Sequence, residues 1–183
     1  MKTLTILSDK KTSLRRKSAE IKFPLEKYVL DLGRKLREHL INSQDEKFLE
    51  KHPNVRSGVG IAAPQVGKNI RMFAVLCEHG ETELYDYVLL NPKITKKSSE
   101  MCYILGGEGC LSVNEEHVGF VPRHHRITIS GFDLFLEKEI ELTLEGFPSV
   151  VFQHEYDHLD GILFYDRINK ENPTKEIDGA IVI

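Results

Sequence analysis

Hydrophobic and polar positions follow two different periods along this chain, and the periods predict its elements. After Pro24, aliphatic residues recur at helical spacing while charged residues occupy the other faces. This pattern predicts an N-terminal amphipathic helix that begins at Pro24, since proline is well tolerated in a first helical turn. The aliphatic positions are Leu25, Val29, Leu32, Leu36 and Leu40.

Shorter segments alternate between apolar and polar residues, which is typical of strands. We expect strands over residues 71–76, 85–90, 126–132 and 137–144, with the second strand ending at Asn91-Pro92. Their short lengths and the turn residues between them predict antiparallel pairing. Residues 162–168 are also expected to be extended.

A second helix is predicted to open at Gly146-Phe147-Pro148 and to end at Gly161. Its first turns carry Val150, Val151 and Phe152, so it is expected to be half-buried rather than polar. Together the elements predict an α+β fold in which antiparallel strands surround this central helix.

The chain has 183 residues, the length of one domain with its own core. We therefore expect a single domain over residues 1–183. Residues 42–57 are polar and contain Asp45, Glu46 and Pro53. This segment is expected to be a surface insertion that has room for one short helical turn.

Composition narrows the function classes only slightly. The net charge is −3, which favours neither a specific nucleic-acid sequence nor an anionic membrane as partner. The first residues do not resemble a signal peptide, and no apolar run approaches a membrane span. Three cysteines without a secretion signal favour a reducing compartment, so we expect a cytoplasmic protein.

The second predicted helix carries the candidate chemistry. His154 and His158 are four residues apart, so their imidazoles lie one turn apart on one helix face and can reach a single cation. Glu155 follows the first histidine and places a carboxylate beside that cation. Two nitrogen ligands and a nearby base are what a metal-dependent hydrolase requires.

The third ligand decides the class of enzyme, because three protein ligands leave one open position on a catalytic cation. Phe164 occupies the position of the last histidine in the metzincin pattern, which excludes that pattern. A zincin-type metalloendopeptidase would use a downstream acidic ligand, and Glu176 and Asp178 lie near the required spacing in a short polar tail. Cys110 lies upstream after a run of glycines, on an approach expected to continue into an extended segment. Its thiolate could complete a Cys-His-His site.

Three segments resemble, in order, the signature motifs of the peptide deformylases: residues 58–65 (GVGIAAPQ), 108–112 (EGCLS) and 153–158 (QHEYDH). The resemblance covers most of the chain. The polar insertion and the extended tail resemble the second bacterial class, which is typical of Gram-positive organisms. Ser13 stands where the family often has a proline, a departure that affects packing rather than chemistry.

The resemblance implies an enzyme that removes the N-formyl group from the N-terminal formyl-methionine of newly made polypeptides and releases formate. It implies one divalent cation, with Fe²⁺ expected and Zn²⁺, Ni²⁺ or Co²⁺ accepted in purified protein. Formyl-Met nascent polypeptides are the expected partners, and a transient contact with the ribosome is compatible with this role.

The resemblance also assigns roles to individual residues. Cys110, His154 and His158 would hold the cation, and Glu155 would accept the proton of the attacking water. As the formyl carbon becomes tetrahedral, Gln65 would donate to the developing oxyanion.

The backbone N–H of Leu111 would donate to the same oxygen. Glu108 and Arg123 are expected to form an ion pair that steadies the loop carrying the thiolate. The residues expected to bind the substrate are Val59, Gly60, Gly109, Val150 and Val151. Gly60 would expose backbone groups to the extended peptide, and an apolar pocket near Val59, Leu111, Val150 and Val151 would take the methionine side chain.

Overall fold

The computed structural model describes residues 4–80 and 82–183. The helices are α1 (Lys27–Ser43), α2 (Glu46–Lys51) and α3 (Phe147–Leu159), with single 3-10 turns at Thr12–Arg15, Ala63–Val66 and Phe164–Arg167. The strands are β1 (Gly60–Ala62), β2 (Met72–His79), β3 (Glu83–Lys97), β4 (Met101–Tyr103), β5 (Arg123–His124), β6 (Arg126–Asp133), β7 (Lys138–Glu145) and β8 (Ile181–Val182).

Five of these strands form an antiparallel sheet in the order β1-β2-β3-β6-β7. A smaller sheet has the order β5-β4-β8, and its β4–β8 pair is parallel. The predicted α+β class with antiparallel pairing is therefore confirmed, with β4–β8 as the exception. In the described part of the chain, no helix is both long and apolar enough to cross a bilayer.

Helices α1 and α3 cover opposite faces of the large sheet. Successive residues of β2 point to opposite faces, so Met72 packs with the α1 residue Leu36, while Phe73 packs with the α3 residue Phe152. The Phe73 and Phe152 rings meet edge to face, with centroids 5.7 Å apart. The sheet is thus the middle layer of three. Helix α3 packs on one face of it, and α1 packs on the other.

Helix α1 begins at Lys27 and not at Pro24 as the sequence predicts. Glu26 has extended backbone angles (φ −74°, ψ 150°) and caps the helix, so the residues before it lie outside. Leu25 is only half-buried and packs at the edge of the core. The aliphatic spacing predicts the buried face correctly because it depends on period, whereas the first turn depends on local angles.

Strand β3 continues through Asn91-Pro92 to Lys97, so its predicted end was wrong. Asn91 takes a left-handed conformation (φ 49°), and the pairing register with β6 shifts between Leu90 and Lys93. The irregularity lets one long strand pass a proline, because the residue without an N–H lies where the ladder is already interrupted.

Residues 162–168 are not a continuous extended segment, contrary to the prediction. A 3-10 turn forms at Phe164–Arg167, and the Asp166 carboxylate accepts a hydrogen bond from the Leu163 N–H at 2.8 Å. Asp166 also pairs with Arg15. A local side-chain bond of this kind is not visible in an apolar–polar pattern.

Most residues between α1 and β1 are exposed or half-buried. Helix α2 lies here, and the Asp45 carboxylate caps it by accepting from the Phe48 N–H at 2.7 Å. The Gln44 side chain donates to the carbonyls of Gly58 and Leu76, each at 2.9 Å. These bonds connect the polar segment to the sheet. That residues 42–57 are an insertion into a single domain stays a prediction.

Replacing Leu36 tests whether α1 supports the sheet. Leu36 is fully buried, so Leu36→Ala should lower the free energy of unfolding by about 2–5 kcal/mol through lost burial and the cavity left behind. Urea unfolding followed by circular dichroism measures this loss. Leu105→Ala is the matched control, because Leu105 is 64% exposed and its loss should cost no more than about 0.5 kcal/mol. Equal losses would show that α1 contributes little to the core.

Candidate metal centre

Three ligand atoms converge between α3 and the loop that precedes β5. The Cys110 sulfur and one imidazole nitrogen each of His154 and His158 all lie within 4.8 Å of one another. Cys110 Sγ is 3.3 Å from His158 Nε2. A tetrahedral cation with ordinary bond lengths holds such donors about 3.3–3.6 Å apart, so these residues fit a divalent ion.

Helix α3 presents one face to this cluster. Phe147, Val150, Val151, His154 and His158 follow each other at helical spacing, so they form a single stripe along the helix. The start of the stripe is apolar and its end carries the imidazoles. A cation held by the end of the stripe would therefore lie next to an apolar surface.

The His154 ring is held by a hydrogen bond on its far side. Its Nδ1–H donates to Glu108 Oε2 at 2.8 Å, which leaves Nε2 as the nitrogen available to a cation. Arg123 donates to both oxygens of Glu108, at 2.8 and 2.9 Å. Burial opposes the charged form of Glu108, but Arg123 and His154 outweigh it and lower its pKa to about 2. The carboxylate is thus ionised at neutral pH.

Arg123 connects this pair to a second carboxylate. It is 2% exposed, and its Nη1 donates to Asp157 Oδ2 at 2.5 Å. Arg167 donates to both oxygens of Asp157, each at 2.6 Å. The contact between Glu108 and Arg123 was expected from the sequence, whereas the contact of Arg123 with Asp157 was not. Asp157 lies about one helical turn after His154, and this spacing was a sequence signal that it lies near the site. No feature of the sequence pointed to Arg167.

The surroundings shift the pKa values of the two histidines in opposite directions. Burial lowers the pKa of His158 well below its ordinary value, and the positive charge of neighbouring groups lowers it further. Burial also opposes the charged form of His154, but interactions with Cys110 and Glu108 outweigh it and raise that pKa well above normal. A cation bound at His154 Nε2 would take the place of a proton there.

Glu155 is buried beside the cluster. Its Oε2 has no hydrogen-bond partner among the residues that the structure describes. Burial raises the pKa of Glu155 to about 7. A Cβ at Gly60 would clash with the Glu155 carboxylate, so only glycine allows that carboxylate so close to β1.

Gln65 turns its amide nitrogen toward the thiol. Its Oε1 accepts from the Ala62 N–H at 2.8 Å, so the amide cannot rotate freely. Its Nε2 donates to Ser112 Oγ at 3.2 Å and lies 3.5 Å from Cys110 Sγ. Cys110 is followed by a turn at residues 111–112 rather than by the extended segment that we expected. Consecutive glycines indicated flexibility but not the direction of the chain after them.

A cavity of about 500 Å³ opens next to the cluster. It is lined by all five residues predicted to bind the substrate, namely Val59, Gly60, Gly109, Val150 and Val151. Phe147, Ile104 and Arg56 also line it and were missed by sequence reasoning. The helical spacing of Phe147 to Val150 and Val151 was a usable signal. Arg56 lies in the polar segment and gave none.

A Cys-His-His donor set beside a buried carboxylate and an apolar cavity is typical of metal-dependent hydrolases. Comparison with known proteins narrows this class. A model of the polypeptide deformylase family matches residues 3–174. The chain therefore belongs to the peptide deformylase family, whose members remove N-formyl groups from nascent polypeptides.

Curated relatives agree over nearly the whole chain. Peptide deformylase of Staphylococcus epidermidis is 46% identical over 179 residues, which are 97% of each chain. Peptide deformylase 2 of Bacillus subtilis is 51% identical over 146 residues, 80% of this chain and 78% of that one. The sequence-based identification as a Gram-positive-type deformylase is confirmed, and the zincin alternative is not favoured.

Solved structures show the same fold. A class I type b peptide deformylase from Acinetobacter baumannii with bound Met-Ala-Ser has a TM-score of 0.72 and 30% identity, covering 91% of this chain and 99% of that chain. A probable peptide deformylase from Synechococcus phage S-SSM7 has a TM-score of 0.70 and 34% identity, covering 91% and 100%.

Removing Arg123 should be much more costly than removing an exposed arginine. Arg123→Met leaves the buried carboxylates of Glu108 and Asp157 without their shared cation, so we expect a loss of about 3–5 kcal/mol of unfolding free energy. Arg126→Met is the control, because Arg126 pairs with Glu145 at the surface and should cost about 1 kcal/mol or less. Urea unfolding of both variants decides, and similar losses would refute a structural role for the buried network.

Proposed function

We propose that this chain deformylates N-terminal formyl-methionine with one divalent cation held by Cys110, His154 and His158. Helix α3 is then the metal-binding helix around which the strands are arranged. The observation that carries the proposal is the convergence of the three ligand atoms within 4.8 Å, beside a buried carboxylate and an apolar cavity. No acidic residue of the tail is needed as a ligand.

Glu155 is the proposed base. When bound, the cation supplies Lewis acidity, which polarises the formyl oxygen and brings the pKa of water toward about 7. Glu155 accepts the proton of the attacking water and passes it to the leaving amine, so the same carboxylate serves both halves of the reaction. Its burial and its unpartnered Oε2 support this role, since the oxygen has no competing hydrogen bond among the described residues.

Gln65 and Leu111 are the proposed oxyanion donors. The carbonyl oxygen gains negative charge when the formyl carbon becomes tetrahedral, and fixed donors stabilise that charge without reorganising. The bond from Ala62 orients the Gln65 amide in advance. The backbone N–H of Leu111 is the second donor, and loss of one such donor typically raises the barrier by about 3 kcal/mol.

The cavity is the proposed site of the methionine side chain. Its size and its apolar lining by Val59, Val150 and Val151 suit an unbranched, flexible thioether. Gly60 and Gly109 carry no side chain, so their backbone groups are accessible to an extended peptide. Glu108, paired with Arg123, steadies the loop that carries Cys110.

The identity of the cation is inferred from the family resemblance. We propose Fe²⁺ in the cell, with Zn²⁺, Ni²⁺ or Co²⁺ accepted in purified protein, because a thiolate and two imidazoles bind each of these ions. The proposed location is the cytoplasm, where nascent formyl-Met polypeptides emerge from the ribosome. A transient contact with the ribosome fits this role, and neither a membrane nor a specific nucleic-acid sequence is required.

Formate release from formyl-Met-Ala-Ser tests the proposal. Protein prepared without oxygen should release formate, and a chelator should abolish the release. Cys110→Ser should weaken cation binding, because a neutral hydroxyl replaces a thiolate. Metal analysis after dialysis measures this. Unchanged metal content in Cys110→Ser, or cleavage of internal peptide bonds instead of formate release, would contradict the assignment.

Replacing Glu155 separates the base from the cation ligands. Glu155→Ala should keep its cation, since all three ligands remain, but should lose turnover by at least about 100-fold. Formate release and metal content are measured on the same preparation. Near wild-type turnover would exclude Glu155 as the base, and loss of the cation would point to a role as ligand.

A further inference from the structure

Arg56 contacts the turn that carries the thiolate, although it lies more than fifty residues earlier in the chain. Its Nη1 donates to the carbonyl of Val113 at 3.0 Å, and its Nη2 donates to the carbonyl of Cys110 at 3.2 Å and also to that of Leu111. One guanidinium thus spans three carbonyls of a four-residue turn. The planar fork of arginine suits this arrangement, because several N–H groups point in fixed directions.

The carbonyls that Arg56 binds share peptide planes with two functional N–H groups. In a trans peptide, the C=O of one residue and the N–H of the next point in opposite directions. Holding the Cys110 carbonyl therefore directs the Leu111 N–H away from the guanidinium. Holding the Leu111 carbonyl in the same way directs the Ser112 N–H, which lies 3.4 Å from Cys110 Sγ.

We propose that Arg56 is a positioning residue that sets the direction of the Leu111 and Ser112 N–H groups through the carbonyls of Cys110 and Leu111. The inference rests on the proposed function, in which the Leu111 N–H donates to the oxyanion. Because a charged donor withdraws electron density from a carbonyl, Arg56 also makes the N–H across the same peptide a stronger donor.

This role would give a function to the polar segment between α1 and β1, which carries Arg56. Arg56 follows α2, and the chain after it is fastened by the bond from Gln44 to the Gly58 carbonyl. Residues 44–57 thus bring one guanidinium to the turn. Other bonds hold the turn independently: the Asp9 N–H donates to the Ser112 carbonyl at 2.8 Å, and Gln65 donates to Ser112 Oγ. An Arg56 variant is therefore expected to fold.

Kinetics of Arg56→Ala on formyl-Met-Ala-Ser provide the first test. A misdirected oxyanion donor should lower kcat by about 10- to 100-fold and leave KM within about twofold, because the lost interaction exists only in the transition state. The kcat of Arg56→Lys should lie between those of the wild type and Arg56→Ala, since an ammonium can reach one carbonyl but not all three. Arg34→Ala is the control, because Arg34 is exposed on α1 and should leave kcat unchanged.

Amide exchange provides a test that does not depend on activity. In metal-free, ¹⁵N-labelled protein, the Ser112 amide proton should exchange severalfold faster in Arg56→Ala than in the wild type, while amides of β2 and β3 stay unchanged. A wild type without formate release would refute the proposed function, yet this measurement would still report on the turn.

Three results would overturn the role of Arg56. The first is an unchanged kcat in Arg56→Ala. The second is an increased KM at constant kcat, which would show that Arg56 binds the peptide instead. The third is a lowered kcat with unaltered Ser112 exchange, which would show that it acts by another route. Should Arg56→Ala fail to fold, the same three criteria apply to Arg56→Lys.

Discussion

The candidate centre depends on one buried ionic network, in which Arg123 lies between the carboxylates of Glu108 and Asp157. Glu108 also orients His154, so the guanidinium determines indirectly where an imidazole nitrogen points. Charges this deeply buried are tolerated only when they are paired and hydrogen-bonded. The network therefore binds the loop of Cys110, strand β5 and helix α3 into one rigid unit.

Several elements position the other groups of the site around that unit. Helix α3 supplies the imidazoles and the apolar stripe, β1 supplies the close approach of Gly60 to Glu155, and Ala62 orients Gln65. Arg56 approaches the turn from the polar segment. A preorganised site of this kind needs little rearrangement during reaction, which is the main source of electrostatic catalysis.

Much of this could be predicted from sequence because it rests on period and motif. The spacing of Val29, Leu32 and Leu36 predicts the buried face of α1, and the three motifs identify the family. The rest depends on contacts between distant residues. Neither the continuation of β3 past Asn91-Pro92 nor the contacts of Arg56 leave a trace in local patterns, since each depends on a partner far away in the chain.

Helix α3 packs against one face of the large sheet, and the same helix carries two of the three candidate ligands. Phe152 packs into the core two positions before His154. The two imidazoles therefore reach their native positions only when α3 is packed against the sheet. Folding and cation binding are therefore linked equilibria. Any ion that binds the folded chain more tightly than the unfolded one adds its binding free energy to the cohesion of the entire domain, in proportion to the logarithm of its concentration.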